Sequence, residues 1–481
     1  MAEALQSQQF QAALNVVVTL RAAGHEAYLA GGCVRDLLLG REPSDYDVAT
    51  SATPGIVLDL FPRTFAVGAH FGVVLVADTS GDDPAAAVIT EVATYRSDGA
   101  YSDGRHPEAV RYSTSAGQDV LRRDFTINGL LLDPLVLAAL PIQPQAHAQQ
   151  THQLSAQVRA AVLDYVGGLP DLEAGIVRAI GDPAERFAED HLRMLRAVRF
   201  AARFDFELEA GTQTAIRRLA GKIAAISRER VRDELTRMLT EGRARRAFEL
   251  LDETRLLPEV LPEIARMQGV EQPPQYHPEG DVWLHTLGLL AQLEPGCSPT
   301  LAWGALLHDV GKPPTFQRAP DRIRFNGHVE VGVAMAAEIL RRFRFSNDDT
   351  QQVLALVENH MRFADADKMK SSTLKRFFRL EKFDEHLALH RMDCLAGSGN
   401  LDHWHFVDER WRAIPEEAVR PTPLLTGREL IAAGYQPGAA FKQMLREIED
   451  AQLEGIIGTP EEALQLVKSR FPLPSHPSED S

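Results

Sequence analysis

Apolar residues spaced three and four apart across LNVVVTLRAAG (14–24) predict a helix that stops at Gly24. The pattern then changes. VVLVA (73–77) and AAVITEVATY (86–95) are short β-rich runs, the second alternating in its later half, and both predict strands. Residues 135–160 are rich in Ala and Gln with no charge until Arg159, which predicts a surface insertion or linker. From residue 175 onward the spacing is helical, most clearly in HLRMLRAVRFAARF (191–204) and VRDELTRMLTEGRARRAFELLDETRLL (231–257). The polar, proline-containing end at 472–481 is expected to be disordered. The expected fold class is multidomain: an N-terminal α/β or α+β domain followed by an all-α remainder.

Composition narrows this picture. With 481 residues, 44% hydrophobic and 25% charged, the chain suits a globular protein with several cores. The net charge of −16 argues against a protein coated in basic surface. Residues 186–249 nevertheless carry a local basic excess, which fits a phosphate-tracking surface. Cys33, Cys297 and Cys394 are too few for a disulfide scaffold and point to a reducing cytoplasm. No apolar run suits a membrane span, MAEALQSQQF lacks a signal-peptide pattern, and no stable protein partner is evident.

The most informative stretch is LAGGCVRDLLLGREPSDYDVAT (29–50). Gly31 and Gly32 let the backbone turn from a strand into a helix close to an anion, with Arg35 in the first helical turn to grip a phosphate. Asp45 and Asp47 follow. On a strand they would share one face, where two carboxylates repel unless a cation neutralises them. Mg²⁺ takes oxygen ligands and keeps a substrate phosphate in its shell, and two such ions suit an attacking and a leaving oxygen. An acidic Ser/Asp turn is the plain alternative for D-x-D alone. In LRRDFTINGLLLDP (121–134), Arg122 and Arg123 supply charge for a triphosphate, while Asp124 and Asn128 suit a ribose hydroxyl. Glu91 stands either as a third carboxylate or as one end of a cross-strand salt bridge. Asp190 and Arg193, three apart in EDHLRMLRAVRF, are expected on one helical face, where acceptors and a donor fork read a base edge. Arg196 and Arg199 continue that spacing.

A second theme fills the middle of the chain. His277 and His285 lie in HPEGDVWLHT, His308 and Asp309 end the apolar run LAWGALLHD, and His328, His360 and Asp393 follow. Imidazole with carboxylate suits Mg²⁺, Mn²⁺, Ni²⁺, Fe²⁺ or Zn²⁺. A single buried histidine is usually a satisfied core residue. An adjacent His-Asp on an apolar helix is costly to bury unpaired.

These strings carry a family resemblance. GG-x-V-R-D with D-Y-D, and RRDFTING, resemble motifs A and B of the class II tRNA nucleotidyltransferase (CCA-adding enzyme) and bacterial poly(A) polymerase family, which has a polymerase-β-like palm. Residues 164–204 resemble its motifs C and D, and ISRERVRDELTRML (226–239) its motif E, a neck helix expected to be structural. RSDGAYSDGRHP (96–107) resembles its flexible loop, which favours addition of the terminal A; Gly129 stands where Ala is common. The resemblance implies Asp45 and Asp47 as catalytic Mg²⁺ ligands. It implies Gly32, Arg35, Arg123, Asp124, Asn128, Arg196 and Arg199 as nucleotide contacts, and Asp190 with Arg193 as the pair that selects C and A over G and U. The order H…HD…H…H…D resembles the HD phosphohydrolase superfamily. His285, His308, Asp309 and Asp393 match its first metal site, and His328 with His360 the added pair of two-metal members, for a divalent transition metal or Mg²⁺. Residues 423–455 resemble the family's tail module; Lys442 there is a candidate RNA-phosphate contact, opposed by the segment's acidic residues.

The implied organisation is a palm over 1–150 (135–160 being insertion or linker), a helical neck and body over 151–270, an HD domain over 271–400 and a helical tail over 401–471. The implied activity is addition of C, C and A to tRNA 3′ ends from CTP and ATP, with phosphatase and 2′,3′-cyclic phosphodiesterase activity in the HD domain. Two alternatives stay open. One is A-addition alone or poly(A) synthesis; the other is a metal-dependent phosphohydrolase whose palm merely docks RNA.

Overall fold

The computed structural model describes residues 2–65, 72–78, 87–98, 110–138 and 156–473. They fall into two compact units, Met1–Pro262 and Glu263–Ser481.

The first unit begins with β1 (Ala27–Ala30), β2 (Val48–Thr50), β3 (Thr64–Phe65), β4 (Val73–Ala77) and β5 (Ile89–Thr94). Next come β6 (Arg96–Asp98) and β7 (Val110–Tyr112), which pair only with each other, then β8 (Leu130–Leu132) and β9 (Val162–Asp164). The main sheet runs β3-β4-β5-β2-β1-β8-β9. Among the described residues of this sheet, β2 and β5 alone pair in parallel, with Val48 opposite Val92. Helix α1 (Gln8–Ala22) buries Phe10, Val16, Val17 and Leu20, and the Ser7 side chain caps it by accepting from the Phe10 amide. It starts before the predicted helix because Ser7 supplies the cap. Helix α2 (Gly32–Leu38) follows β1. Farther on lie α3 (Pro183–Glu189), α4 (Leu192–Phe204) and α5 (Arg228–Thr240), with α5 packed along α4.

Two local expectations need correction. Asp45 and Asp47 are not within a strand: β2 begins at Val48. Ladder bonding reaches back to the Asp47 carbonyl, which accepts the Ala30 amide at 3.0 Å, so the pair lies in the extended lead-in. Asp190 and Arg193 do not share one helix. Asp190 is extended (φ −148°, ψ 106°) at the break between α3 and α4, and its carboxylate accepts the Leu192 amide at 3.0 Å. An aspartate is better suited to capping a helix than to continuing it.

The second unit is built on α6 (Val282–Leu290), α7 (Pro299–Leu307), α8 (His328–Arg342), α9 (Asn347–Asn359) and α10 (Phe383–Ala396). Helix α7 is almost wholly apolar and packs against α6, α9 and α10, burying Trp303, Ala305, Leu306 and Leu307. A short antiparallel pair, Gln317–Arg318 with Ile323–Arg324, interrupts the helices. Toward the C-terminus, Leu430, Tyr435, Ile448 and Val467 form a separate small core. Three expectations fall mainly outside the described residues: the flexible loop over 96–107, the insertion or linker over 135–160 and the disordered end over 472–481. Among the described residues, no helix is long and apolar enough to cross a membrane.

Candidate functional site

The first unit holds a cleft of about 800 Å³. All eleven residues singled out there line it: Gly32, Arg35, Asp45, Asp47, Arg123, Asp124, Asn128, Asp190, Arg193, Arg196 and Arg199. Of the two glycines, Gly31 is the one the turn requires. Its φ is +72°, and a Cβ there would lie 3.1 Å from Arg123 Nη1. Its amide is committed to the Leu130 carbonyl at 3.1 Å.

One wall is acidic. Asp45 and Asp47 share it with Glu91 of β5, so the structure favours the third-carboxylate expectation for Glu91. Burial, aided by the Glu91 and Asp45 charges, pushes Asp47 up to about 7, and burial with Asp45 raises Glu91 as well. Carboxylates that oppose one another's ionisation form the hard oxygen donor set that a divalent cation relieves.

The other wall is basic but already partnered. Arg35 is buried, bonding Asp36 through Nε at 2.9 Å and Asn128 Oδ1 through Nη1 at 2.5 Å. Asn128 Nδ2 donates to Asp124 Oδ1 at 3.0 Å, and Arg196 takes Asp124 Oδ2 at 2.9 and 2.7 Å. Burial opposes the Asp124 charge, yet Arg196 and Asn128 hold its carboxyl down at about 2. Arg123 pairs with buried Asp119 at 3.1 Å. Arg199 is only 4% exposed, closed between Glu234 at 2.7 Å and Glu241 at 3.0 Å. Phe200 lies 5.3, 5.4 and 4.3 Å from the Arg35, Arg196 and Arg199 guanidiniums, so one ring helps seat three cations.

The second unit gathers His285, His308, Asp309, His328, His360 and Asp393 from α6, α7, α8, α9 and α10 or their ends. His285, His308 and Asp393 place ligand atoms within 4.8 Å of one another, and so do Asp309, His328 and His360. His285 Nε2 lies 3.4 Å from His308 Nε2 and 3.0 Å from Asp393 Oδ1. Asp309 Oδ1 lies 3.7 Å from His360 Nε2 and 3.9 Å from His328 Nε2, and these three atoms are buried without a hydrogen-bond partner. On the far side of each ring, Nδ1 meets an acceptor: Ala305 O (2.9 Å), Phe325 O (3.0 Å), Val357 O (2.7 Å) and, for His285, Glu279 Oε1 (2.6 Å). For His308, His328 and His360 in their neutral form, occupying Nδ1 as donor leaves Nε2 as a lone pair facing the centre. Burial opposes charge on His285, but Asp393 and Glu279 raise it to about 9, so its Nε2 donates to Asp393 until a cation displaces the proton. Burial pulls His360 down to about 4 and lowers His328, which keeps both rings neutral. Burial opposes charge on Asp309, but His308 and Lys312 hold it well below the usual carboxylate range. Orphaned buried donor atoms converging in this way fit a divalent ion.

Several residues at the two sites escaped the sequence. From the motif E helix, α5, Arg230, Arg237 and, just past its end, Glu241 line the cleft, and Glu234 pairs with Arg199. The signal was present, because 230, 234, 237 and 241 form one charged stripe at helical spacing. Glu279, which joins the Nδ1 atoms of His277 (2.9 Å) and His285, and Lys312, 2.7 Å from Asp309, carried no such signal.

Comparison with known proteins gives three family matches: the Poly A polymerase head domain over residues 27–178, the probable RNA and SrmB-binding site of polymerase A over 205–268, and the HD domain over 283–396. The CCA-adding enzyme of Bacillus pumilus is 37% identical over 291 residues, 59% of this chain and 65% of the relative. Alignments with the Anoxybacillus flavithermus and Lactiplantibacillus plantarum enzymes span 57% and 49% of those relatives, so the match covers about half to two-thirds of these proteins. The CCA-adding enzyme of Lactobacillus helveticus is 30% identical over 95% of this chain and 96% of its own length. The crystal structure of the Bacillus stearothermophilus CCA-adding enzyme in complex with CTP superposes with a TM-score of 0.70 at 25% identity, covering 96% of this chain and 98% of that one. The Thermotoga maritima CCA-adding enzyme complexed with tRNA shares the fold, with a TM-score of 0.56 at 16% identity over 98% of both chains.

Proposed function

The chain belongs to the CCA-adding enzyme family, and from that premise we propose that it adds C, C and A to the 3′ end of tRNA from CTP and ATP without a nucleic-acid template. One observation carries the proposal: a single cleft is lined by Asp45, Asp47 and Glu91 together with Arg35, Arg123, Arg196 and Arg199, with Asp190 and Arg193 also in its lining. The RNA 3′-hydroxyl oxygen attacks the α-phosphorus, the bond from that phosphorus to the β-bridging oxygen breaks, and pyrophosphate leaves. Asp45 and Asp47 would hold Mg²⁺, which when bound stabilises charge on the attacking and leaving oxygens. Arg123 and Arg196 draw the triphosphate against the basic wall, and Arg35 braces that wall through Asn128. Asp190 accepts from, and Arg193 donates to, the Watson–Crick edge of the incoming base.

The second unit supports a further activity of the same chain, hydrolysis of phosphomonoesters and 2′,3′-cyclic phosphates at RNA ends. The orphaned Asp309, His328 and His360 atoms favour it. His285, His308, Asp309 and Asp393 would hold one divalent transition metal or Mg²⁺, with His328 and His360 extending the set to a second. In this reading the palm occupies 1–150, the neck and body 151–270, the HD domain 271–400 and the tail 401–471.

The test is incubation with tRNA lacking its 3′ CCA, supplying CTP, ATP or both, and sequencing the products. The expected ends are CC with CTP alone and CCA with both nucleotides. Incorporation of A only, onto ends already carrying CC, would replace the proposal with A-addition. Long A tails would replace it with poly(A) synthesis.

A further inference from the structure

Asp190 is tethered twice. Its Oδ1 accepts the Leu192 amide at 3.0 Å, and its Oδ2 accepts Arg230 Nη2 at 2.7 Å, with Arg230 Nη1 at 3.5 Å from Oδ1. Side-chain exposures of 17% for Asp190 and 26% for Arg230 leave both partly open, and both line the cleft. Arg193 is tied separately, to the Glu189 carboxylate and to the Arg186 carbonyl at 3.0 Å. The two halves of the base-reading pair are therefore held by different elements: Arg193 by the end of α3, Asp190 by the first turn of α5.

A carboxylate has about four lone-pair sites, and the protein uses two on Oδ1, one of them by a long 3.5 Å contact, and one on Oδ2, leaving acceptor capacity on Oδ2 at a fixed plane. We propose that Arg230 is the positioning residue that sets this plane, and with it the discrimination of C and A from U and G. The proposal rests on the nucleotidyl-transfer reading above. Cytosine and adenine present an amino group beside a ring acceptor, whereas uracil and guanine present a carbonyl beside an N–H. An Asp190 fixed as acceptor meets the amino group and repels the carbonyl. Released from Arg230, it keeps only the Leu192 amide, turns about its side chain and leaves Arg193 free to donate to a carbonyl. Selection weakens without loss of Asp45, Asp47 or Glu91. A lysine at 230 keeps a point charge but not the fork, so it holds the charge of Asp190 without holding its plane.

The experiment uses the full chain and tRNA lacking its 3′ CCA, and measures kcat/KM for CTP and for UTP in the parent, Arg230→Gln and Arg230→Lys. The expected CTP-to-UTP ratio falls about tenfold or more in Arg230→Gln, mainly through a higher KM for CTP, with Arg230→Lys intermediate. Equilibrium binding of CTP and UTP in the absence of tRNA should shift in the same order. If Arg230→Gln does not fold, Arg230→Lys carries the test alone, with a smaller drop in the same ratio. A folded variant that loses activity equally on both nucleotides, keeping the parental ratio, overturns the assignment and makes Arg230 a purely structural residue. A parent chain that incorporates neither C nor A overturns the nucleotidyl-transfer reading, and the assignment with it.

Discussion

Asp47 and Asp309 are both aspartates flanked by candidate metal ligands, yet their surroundings differ. Asp47 lies in a cleft of about 800 Å³, where burial, aided by the Glu91 and Asp45 charges, raises its pKa to about 7. Asp309 is 1% exposed, and histidines and Lys312 hold it ionised. On the proposed reading the first arrangement is incomplete alone, because its repelling carboxylates would be settled by a cation arriving with substrate phosphates. The second is set up by the protein itself: its imidazoles are oriented by acceptors at Nδ1, and His285, His308, Asp309 and His360 are buried. On that reading, one chain would carry an exchangeable centre and a retained one.

That contrast can be broken or sharpened in several ways. Brief dialysis against a chelator should cut nucleotide incorporation by more than about 10³-fold, with full recovery on adding Mg²⁺, while phosphoesterase activity outlasts the treatment. Equal loss of both would erase the distinction. Next in size, Gly311→Ala would place a Cβ 2.1 Å from the His328 carbonyl and 2.6 Å from the Gly332 amide. The displaced His328 should lower phosphoesterase activity by about 100-fold, as expected for loss of metal-site geometry, with incorporation unchanged. A pH effect comes third. A cation must displace the proton of Asp47, so below about 7 the apparent Mg²⁺ affinity for incorporation should fall about tenfold per pH unit, and above it level off. Mg²⁺ titrations at pH 6 and 8 measure this, and no comparable proton competition is expected from Asp309. The smallest effect sets a floor: Ser7→Ala removes the α1 cap and should cost about 1 kcal/mol in thermal or denaturant unfolding, sparing both activities.

Much of both sites was legible because their ligands are chemically conspicuous and lie in short strings. Gly31 through Asp47 spans one turn, one helix and one lead-in, and His308-Asp309 closes an apolar helix. What escaped depends on chain geometry that no side-chain pattern spells out. The Nδ1 acceptors of His308, His328 and His360 are backbone carbonyls three residues earlier. The Asp190–Arg230 pair joins residues forty apart, and it was hidden further by reading EDHLRMLRAVRF as one helix when Asp190 is the break. The strand assumed beneath Asp45 and Asp47 failed for a similar reason: period-two spacing was present, but the β2 ladder begins at Val48.

The most direct measurement assays both activities in single preparations of Asp45→Ala and Asp309→Ala. The account predicts a crossed result. Asp45→Ala loses incorporation by several orders of magnitude and keeps phosphoesterase activity, and Asp309→Ala does the reverse. Incorporation surviving in Asp45→Ala would contradict the assignment of nucleotidyl transfer to the carboxylate cleft.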